Sequence, residues 1–216
     1  MQPANDPTIN YKALVQQNYD RCAAAYEAAR RDTAHPELTV LIDRLPSPAQ
    51  VLDIGCGAGV PVAQTLAQHF VVTGVDISAE QIRRAQNNVP NAQFIHSDIM
   101  ALDFPAATFD AVVSFYAIFH LPREEHPELL RRIYTWLKPG GYLLATVTQF
   151  AEAAYTEDDF FGGTMYWSNY GLADYRHILQ NLGFTILDIH ALGHGYNVDA
   201  NAAPERHPLL FAQRNS

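Results

Sequence analysis

The sequence is poor in cysteine and in positive charge. Only Cys22 and Cys56 occur in 216 residues, so a disulfide framework is not expected and a reducing compartment is. Fourteen Lys and Arg stand against 23 Asp and Glu, for a formal net charge of -9, without any run of basic residues. Affinity for nucleic acid comes from neutralising phosphates, so this balance argues against such partners. The longest uncharged apolar run, AVVSFYAIFHL, falls short of the roughly 20 residues that a membrane-spanning helix needs. The opening MQPANDPTIN lacks the basic-then-apolar order of an export signal. The nine histidines form no metal-ligand pattern, and His120 and His126 miss the i, i+4 relation of a helical zinc pair. A cytoplasmic monomer or homodimer with a small-molecule partner, and no metal, membrane or nucleic acid, is the expectation.

What is present is 48% hydrophobic and 17% charged, a globular composition of a length suited to one domain. Residues 1–10 are Pro- and Asn-rich and are expected to be mobile. From 11 to 45 the spacing of Val15, Tyr19, Cys22, Tyr26 and Ala29 lines one face of a helix, and RLPSPAQ then breaks the chain. Between 50 and 148 apolar strands alternate with helices. QVLDI, FVVTGVD, AQFIHSD, FDAVVSFYAI and GYLLATVTQ read as strands. Helices are expected over Ala58–His69, from the capping Ser78 (with Gln81 as its capping-box partner) to Asn88, and over Arg123–Leu137. Residues 150–170 form an unusually aromatic insertion. From 171 to 216 a helix ending at Gly183 precedes FTILDIHAL and HPLLFAQR, which are most simply an antiparallel hairpin. The pattern predicts an α/β Rossmann-like, doubly wound, seven-stranded and mostly parallel sheet, with helices on both faces.

The stretch VLDIGCGAGV carries the chemistry. A strand running into a glycine-rich turn and then a helix should present bare backbone N–H groups to a ligand. The spacing is G-x-G-x-G (Gly55, Gly57, Gly59), whereas a dinucleotide fold wants G-x-G-x-x-G. No Lys-Ser/Thr pair follows, which excludes a phosphate-cradling P-loop. Asp53 would repel a pyrophosphate and suit an ammonium. Asp76 ends the next strand about 20 residues on, where folds of this topology grip a ribose diol. Asp98 ends the third, within reach of an adenine amine. An amine-bearing head, a ribose and an adenine describe S-adenosylmethionine better than NAD.

With VTGVDIS, FIHSDIMALDF, FDAVVSFYAIFHLP and WLKPGGYLLATV, this stretch resembles the class I S-adenosylmethionine-dependent methyltransferases, of the stand-alone bacterial type that acts on small molecules. The resemblance covers roughly residues 50 to 148. It implies that Asp53 and the Gly55–Gly59 backbone, with Cys56 between, hold the methionine end. Asp76 would take the ribose hydroxyls and Ile77 the adenine face. Asp98 would accept from the adenine amine with Ile99 beside it, and Phe115 would line the fourth-strand exit. NYDRCAAAYEAAR is similar to the family's N-terminal cover helix, whose tyrosines, here Tyr19 and Tyr26, close over the cofactor.

Ligands of open α/β sheets bind beyond the carboxyl ends of the strands. Tyr116 and His120 should reach that edge, with His120 as the leading general base and His194 and Tyr166 as weaker ones. Phe160, Phe161, Met165, Tyr166, Trp167 and Tyr170 of the insertion are expected to wall an acceptor pocket, with Gly162–Gly163 allowing movement. SFYA lacks the N/D-P-P-Y/F tetrad of adenine and glutamine methylases, and two cysteines are too few for arsenite chemistry. The expected reaction is methyl transfer to an O, N or C atom of a small, aromatic or partly apolar metabolite. A non-catalytic S-adenosylmethionine-binding module and an NAD-dependent oxidoreductase are the alternatives.

Overall fold

The computed structural model describes residues 1–4, 6, 8–32, 35–191 and 207–216. The chain opens with a two-residue strand β1 (Gln2–Pro3), a long helix α1 (Tyr11–Arg30) and a single-turn α2 (Thr39–Ile42). Strands and helices then alternate through β2 (Gln50–Ile54), α3 (Val62–Leu66), β3 (Val71–Asp76), α4 (Ala79–Asn88), β4 (Gln93–His96), β5 (Phe109–Ser114), α5 (His126–Trp136) and β6 (Leu137–Thr146). A hairpin of β7 (Glu152–Phe160) and β8 (Gly163–Asn169) precedes α6 (Leu172–Leu182), β9 (Phe184–Ala191) and β10 (Pro208–Arg214).

Seven strands form the main sheet in the order β4-β3-β2-β5-β6-β10-β9. Strands β2 to β6 pair in parallel, and β10 runs antiparallel between β6 and β9. Alternate residues of the central strands feed two apolar layers. Leu52, Ile54, Val112 and Leu143 face α5 and α6, while Val51, Ala111, Val113 and Leu144 face Leu66, Phe70 and Leu41. Burial on both faces is why these strands carry continuous apolar runs. On α5, Leu129, Leu130, Ile133 and Trp136 supply a helical stripe against the first layer. The chain runs outward from β2 to β4 and returns to place β5 beside β2. That reversal opens a crevice at the carboxyl ends of β2 and β5, where open α/β sheets take ligands.

Three expectations need correction. The helix expected over Ala58–His69 is confined to α3, because Gly55, Gly57 and Gly59 all hold positive φ, which no helix tolerates. The aromatic insertion, read only as a connection after the fifth strand, is regular structure. It is a hairpin whose two turn residues, Phe161 and Gly162, have φ of 51° and 80°, as a type I′ turn requires. The third concerns residues 1–10. Gln2 and Pro3 pair with Thr156 and Tyr155 of β7, and the Ala4 N–H donates to the Ala154 carbonyl at 2.9 Å. The result is a second, three-stranded antiparallel sheet, β1-β7-β8. Helix α1 packs on it through Val15, Tyr19 and Cys22 against Met165 and Tyr166, with Tyr11 stacked on Tyr166 at 4.6 Å.

A buried histidine ties the far side together. The His126 Nε2–H donates to the Leu121 carbonyl at 3.1 Å, which leaves Nδ1 to accept from the Tyr175 hydroxyl at 2.9 Å. Burial pushes the His126 pKa down to about 4, so the imidazole is neutral and serves as a fixed bridge between α5 and α6. Tyr175→Phe strands a buried acceptor and should lower the unfolding free energy by about 1–3 kcal/mol with an unchanged urea m-value. An unchanged denaturation midpoint would show that the bridge contributes nothing.

Candidate functional site

The glycine loop differs from a bare nest of donors. The Gly55 and Cys56 N–H groups both donate to the Val75 carbonyl, at 2.8 and 3.1 Å. The Gly57 N–H donates to Asp76 Oδ2 at 2.9 Å, and the Gly59 N–H to the Cys56 carbonyl at 3.0 Å. These four amides are therefore spent on protein acceptors. Gly59 is needed for packing: a Cβ there would press on the Ala85 Cα at 3.3 Å, and the residue lies on neither cavity wall described below. Its expected ligand contact gives way to the close approach of α4. Cys56 lies on the smaller wall, but a Cβ on the neighbouring Gly74 would come within 2.9 Å of its sulfur. Burial, reinforced by the charges of Asp76 and Asp53, pushes its thiol well above the ordinary range, so the sulfur stays protonated at neutral pH.

Two adjoining cavities open over this loop. The larger is about 720 Å³ with its mouth included, and the smaller about 480 Å³. Gly55, Gly57, Tyr26 and Phe115 line both. The larger is walled by Asp76 and Ile77 after β3, Asp98 and Ile99 after β4, Phe115, Tyr116 and His120 after β5, and Lys12 and Tyr19 from α1. Asp53 lies on the smaller one.

Each acid is held differently. Asp76 accepts from the Ser78 N–H at 2.9 Å as well as from Gly57. Burial outweighs those two bonds and raises its pKa to about 6. Asp53 is 1% exposed, and its Oδ2 has no hydrogen-bond partner. Burial, then the nearby Asp76 charge, pushes it up to about 7. Asp98 accepts from the Met100 N–H at 2.9 Å and from Lys12 Nζ at 2.8 Å, and Lys12 also reaches Glu125.

Gln81 escaped the sequence reading as a wall residue. Its N–H does bond to Ser78 Oγ at 3.1 Å, which caps α4. The side chain makes no reciprocal capping bond. Its carboxamide is buried on the wall of the larger cavity, with neither its nitrogen nor its oxygen partnered. A polar residue three positions into a helix that begins at a strand-end acid was the available signal.

His120 and Tyr19 meet across the cleft. The Tyr166 carbonyl can only accept, so His120 Nδ1 carries the proton (2.9 Å) and Nε2 accepts from the Tyr19 hydroxyl at 3.0 Å. Burial lowers the His120 pKa to about 4, so the ring is neutral and well below the near-neutral value expected of a free base.

The insertion's side chains lie elsewhere than expected. Met165 and Tyr166 sit in the core under α1, Phe160 packs on Tyr19 and Tyr26, and Trp167 lies 4.4 Å from the His120 ring. Tyr170 packs on Tyr175, and Phe161 is 37% exposed beside Tyr26. None of the six is on either wall. Phe160, Met165, Tyr166 and Trp167 thus form a seam with α1, while Phe161 and Tyr170 lie outside it. His194 lies outside the described residues.

Known proteins share this arrangement. A family model described as a methyltransferase domain matches residues 51–141. An uncharacterized methyltransferase of Mycobacterium tuberculosis is 44% identical over 100 residues, 45% of this chain and 49% of that one, so the chain spans about half the length of that relative. Trans-aconitate 2-methyltransferase of Deinococcus radiodurans is 35% identical over 182 residues, 75% of this chain and 67% of that one. The fold is shared with the 1,6-didemethyltoxoflavin-N1-methyltransferase of Burkholderia thailandensis, solved with 1,6-didemethyltoxoflavin and S-adenosylhomocysteine, at a TM-score of 0.72 and 22% identity, covering 99% of this chain and 94% of that one. No helix among the described residues is long and apolar enough to cross a membrane. With the strand-end acids, the glycine loop and the reversed β10 in place, the chain belongs to the class I S-adenosylmethionine-dependent methyltransferase family.

Proposed function

We propose that the protein transfers a methyl group from S-adenosylmethionine to an O, N or C atom of a small, partly apolar molecule. One observation carries the reading. The loop beside the crevice has spent four of its amides internally, next to a buried carboxylate with an unpartnered oxygen. A diphosphate would meet acids and find those donors occupied, whereas an ammonium group meets an acceptor ready for it. Asp76 keeps lone pairs for ribose hydroxyls, and the unpartnered Gln81 carboxamide lies on the same wall. Ile77 and Ile99 offer apolar faces to an adenine, and Asp98 an acceptor for its amine once Lys12 turns to Glu125.

When bound, the cofactor supplies an electrophilic methyl on a cationic sulfur. The protein's part is alignment and the exclusion of water. A held geometry can supply ~7–11 kcal/mol of the barrier. Tyr19, Tyr26, Phe115 and Tyr116 wall the middle of the cleft and form the surface against which an acceptor would rest. An acceptor proton that must leave would pass to His120 Nε2, directly or through the Tyr19 hydroxyl. The Tyr166 carbonyl steadies the imidazolium so formed, although burial keeps this base weak. The six insertion residues support the cap, and the aromatic character of the acceptor now rests on the four wall residues instead.

The pH dependence of binding tests the ammonium site. Free Asp53 titrates at about 7, and only its carboxylate can accept from an ammonium. Affinity for S-adenosylhomocysteine should level off above that value and fall about tenfold per pH unit below it. Between pH 7 and 6, above the range where Asp76 at about 6 adds its own loss for any ribose ligand, calorimetry should find the slope greatly reduced in Asp53→Asn and for 5′-methylthioadenosine, which lacks the amino acid; a flat wild-type profile there would remove Asp53 from the site.

Turnover tests the reaction. Labelled methyl should move from S-adenosylmethionine to one member of a metabolite panel, and His120→Gln should lower kcat by about 10²-fold for an acceptor that must lose a proton. NADH should give no thermal shift. Tight nucleoside binding with no transfer to any acceptor would leave a binding module rather than an enzyme.

A further inference from the structure

We propose that Tyr116 orients the methyl acceptor, its ring set beside the transferring methyl by a strained backbone, and that Thr146 is the positioning residue that holds it there. The proposal deepens the reading above and rests on it. Side chains along a strand alternate between its two faces. Yet Phe115, Tyr116 and Ala117, the three residues that follow β5, all lie on the wall of the larger cavity. The chain achieves this by turning at Tyr116, whose φ is 56°. Three other described residues besides glycines hold a positive φ: Ala107, Asp159 and Phe161. These are exposed, in a turn, at an irregularity of β7 and at the hairpin tip, and none is on a cavity wall. Tyr116 is 3% exposed. A bulky side chain is rare in this region and carries a cost that glycine would spare. Such strain clusters at functional sites and persists where the surroundings over-determine it.

The surroundings here do so from two sides. The Tyr116 N–H donates to Thr146 Oγ1 at the end of β6, and Thr146 is fully buried and on neither cavity wall. Opposite, Ala117 is pressed against the loop after β2, so closely that a Cβ on Gly55 would fall 2.2 Å from the Ala117 Cβ. The ring is fixed by Phe119, edge-on at 6.4 Å, and by the Arg30 guanidinium carbon, 4.5 Å over its face. The place of this clamp gives it a use. The cofactor's sulfur joins a ribose, which Asp76 would take in the larger cavity, to an amino acid, which Asp53 would take in the smaller. Sulfur and methyl therefore belong where the cavities adjoin, at Gly55 and Phe115, which line both. Tyr116 follows Phe115 directly, and its ring offers an acceptor a flat surface beside that point. In-line transfer is sensitive to such placement: a shift of about 1 Å can cost on the order of 10²-fold in rate.

NMR of S-adenosylmethionine labelled with carbon-13 on its methyl, bound at saturation to the wild type, Tyr116→Phe, Tyr116→Leu, Thr146→Ser and Thr146→Val, tests the assignment without an identified acceptor. The ring current of Tyr116 should displace the methyl resonance. The signal should keep its wild-type position in Tyr116→Phe and Thr146→Ser, and should move in Tyr116→Leu and Thr146→Val. Calorimetry should find the affinity for S-adenosylhomocysteine unchanged in both Thr146 variants, which also certifies their folding. With the acceptor that a metabolite panel reveals, kcat should fall by about 10²-fold in Thr146→Val and recover in Thr146→Ser, at a constant KM for S-adenosylmethionine. A resonance that stays in place in Tyr116→Leu or Thr146→Val, or moves equally in both Thr146 variants, would overturn the proposal while leaving the methyltransferase reading intact. Loss of nucleoside affinity in Thr146→Val would make that residue merely structural and also overturn it. A wild type that binds neither nucleoside would overturn this proposal and the methyltransferase reading together.

Discussion

A single half-buried carboxylate ties the site together. Asp76 receives the Gly57 N–H from the loop after β2 and the Ser78 N–H from the start of α4, both at 2.9 Å. The first bond fixes the glycine loop and uses an amide that a phosphate would otherwise take. The second sets the cap of α4, because Ser78 then accepts from Gln81 and donates to Asp20 of α1 at 2.6 Å. Sheet, loop, wall helix and cover helix are joined through one side chain. Burial still raises its pKa to about 6, so the two amide bonds only partly offset the cost of a charge removed from water.

Electrostatics divide the cleft along its length. At the Asp98 end, Lys12 is shared between Asp98 and Glu125, so the surface there keeps a net negative charge. In the middle, Asp76 holds its charge through backbone donors. At the far end, burial raises the Asp53 pKa to about 7, so only about half of it is ionised at neutral pH until a cation arrives. That run of acids suits a ligand that brings hydrogen-bond donors at its base and a cation at its tail. Burial and the charges of Asp76 and Asp53 together keep the Cys56 thiol protonated.

The central strands were legible because burial on both faces leaves unbroken apolar runs, as in Val51, Leu52 and Ile54. The acids could be read because they fall where those runs stop. The β7–β8 hairpin was hidden for a physical reason: its first strand, β7, is mostly polar, and its second partner is Gln2–Pro3 at the other end of the chain. Glycine spacing shows where backbone can come close, but it does not show that the amides of Gly55 and Cys56 turn back to Val75. Composition likewise cannot separate a pocket wall from a seam. Trp167 carries the same apolar surface in either place, and only strand pairing decides which way it faces. Gln81 read as a cap partner because its backbone is one; its side chain had a separate destination.

The roof over the cleft is assembled from two distant stretches. Residues 2–4 with α1 supply one half, and residues 152–169 the other; β1 pairs with β7, and α1 rests on β8. Transplanting either block alone into a relative would leave an unsatisfied strand edge and a mismatched face under the helix. A change of acceptor preference by recombination therefore has to carry both blocks at once, and a crossover placed anywhere in the sheet between them separates what must be inherited together.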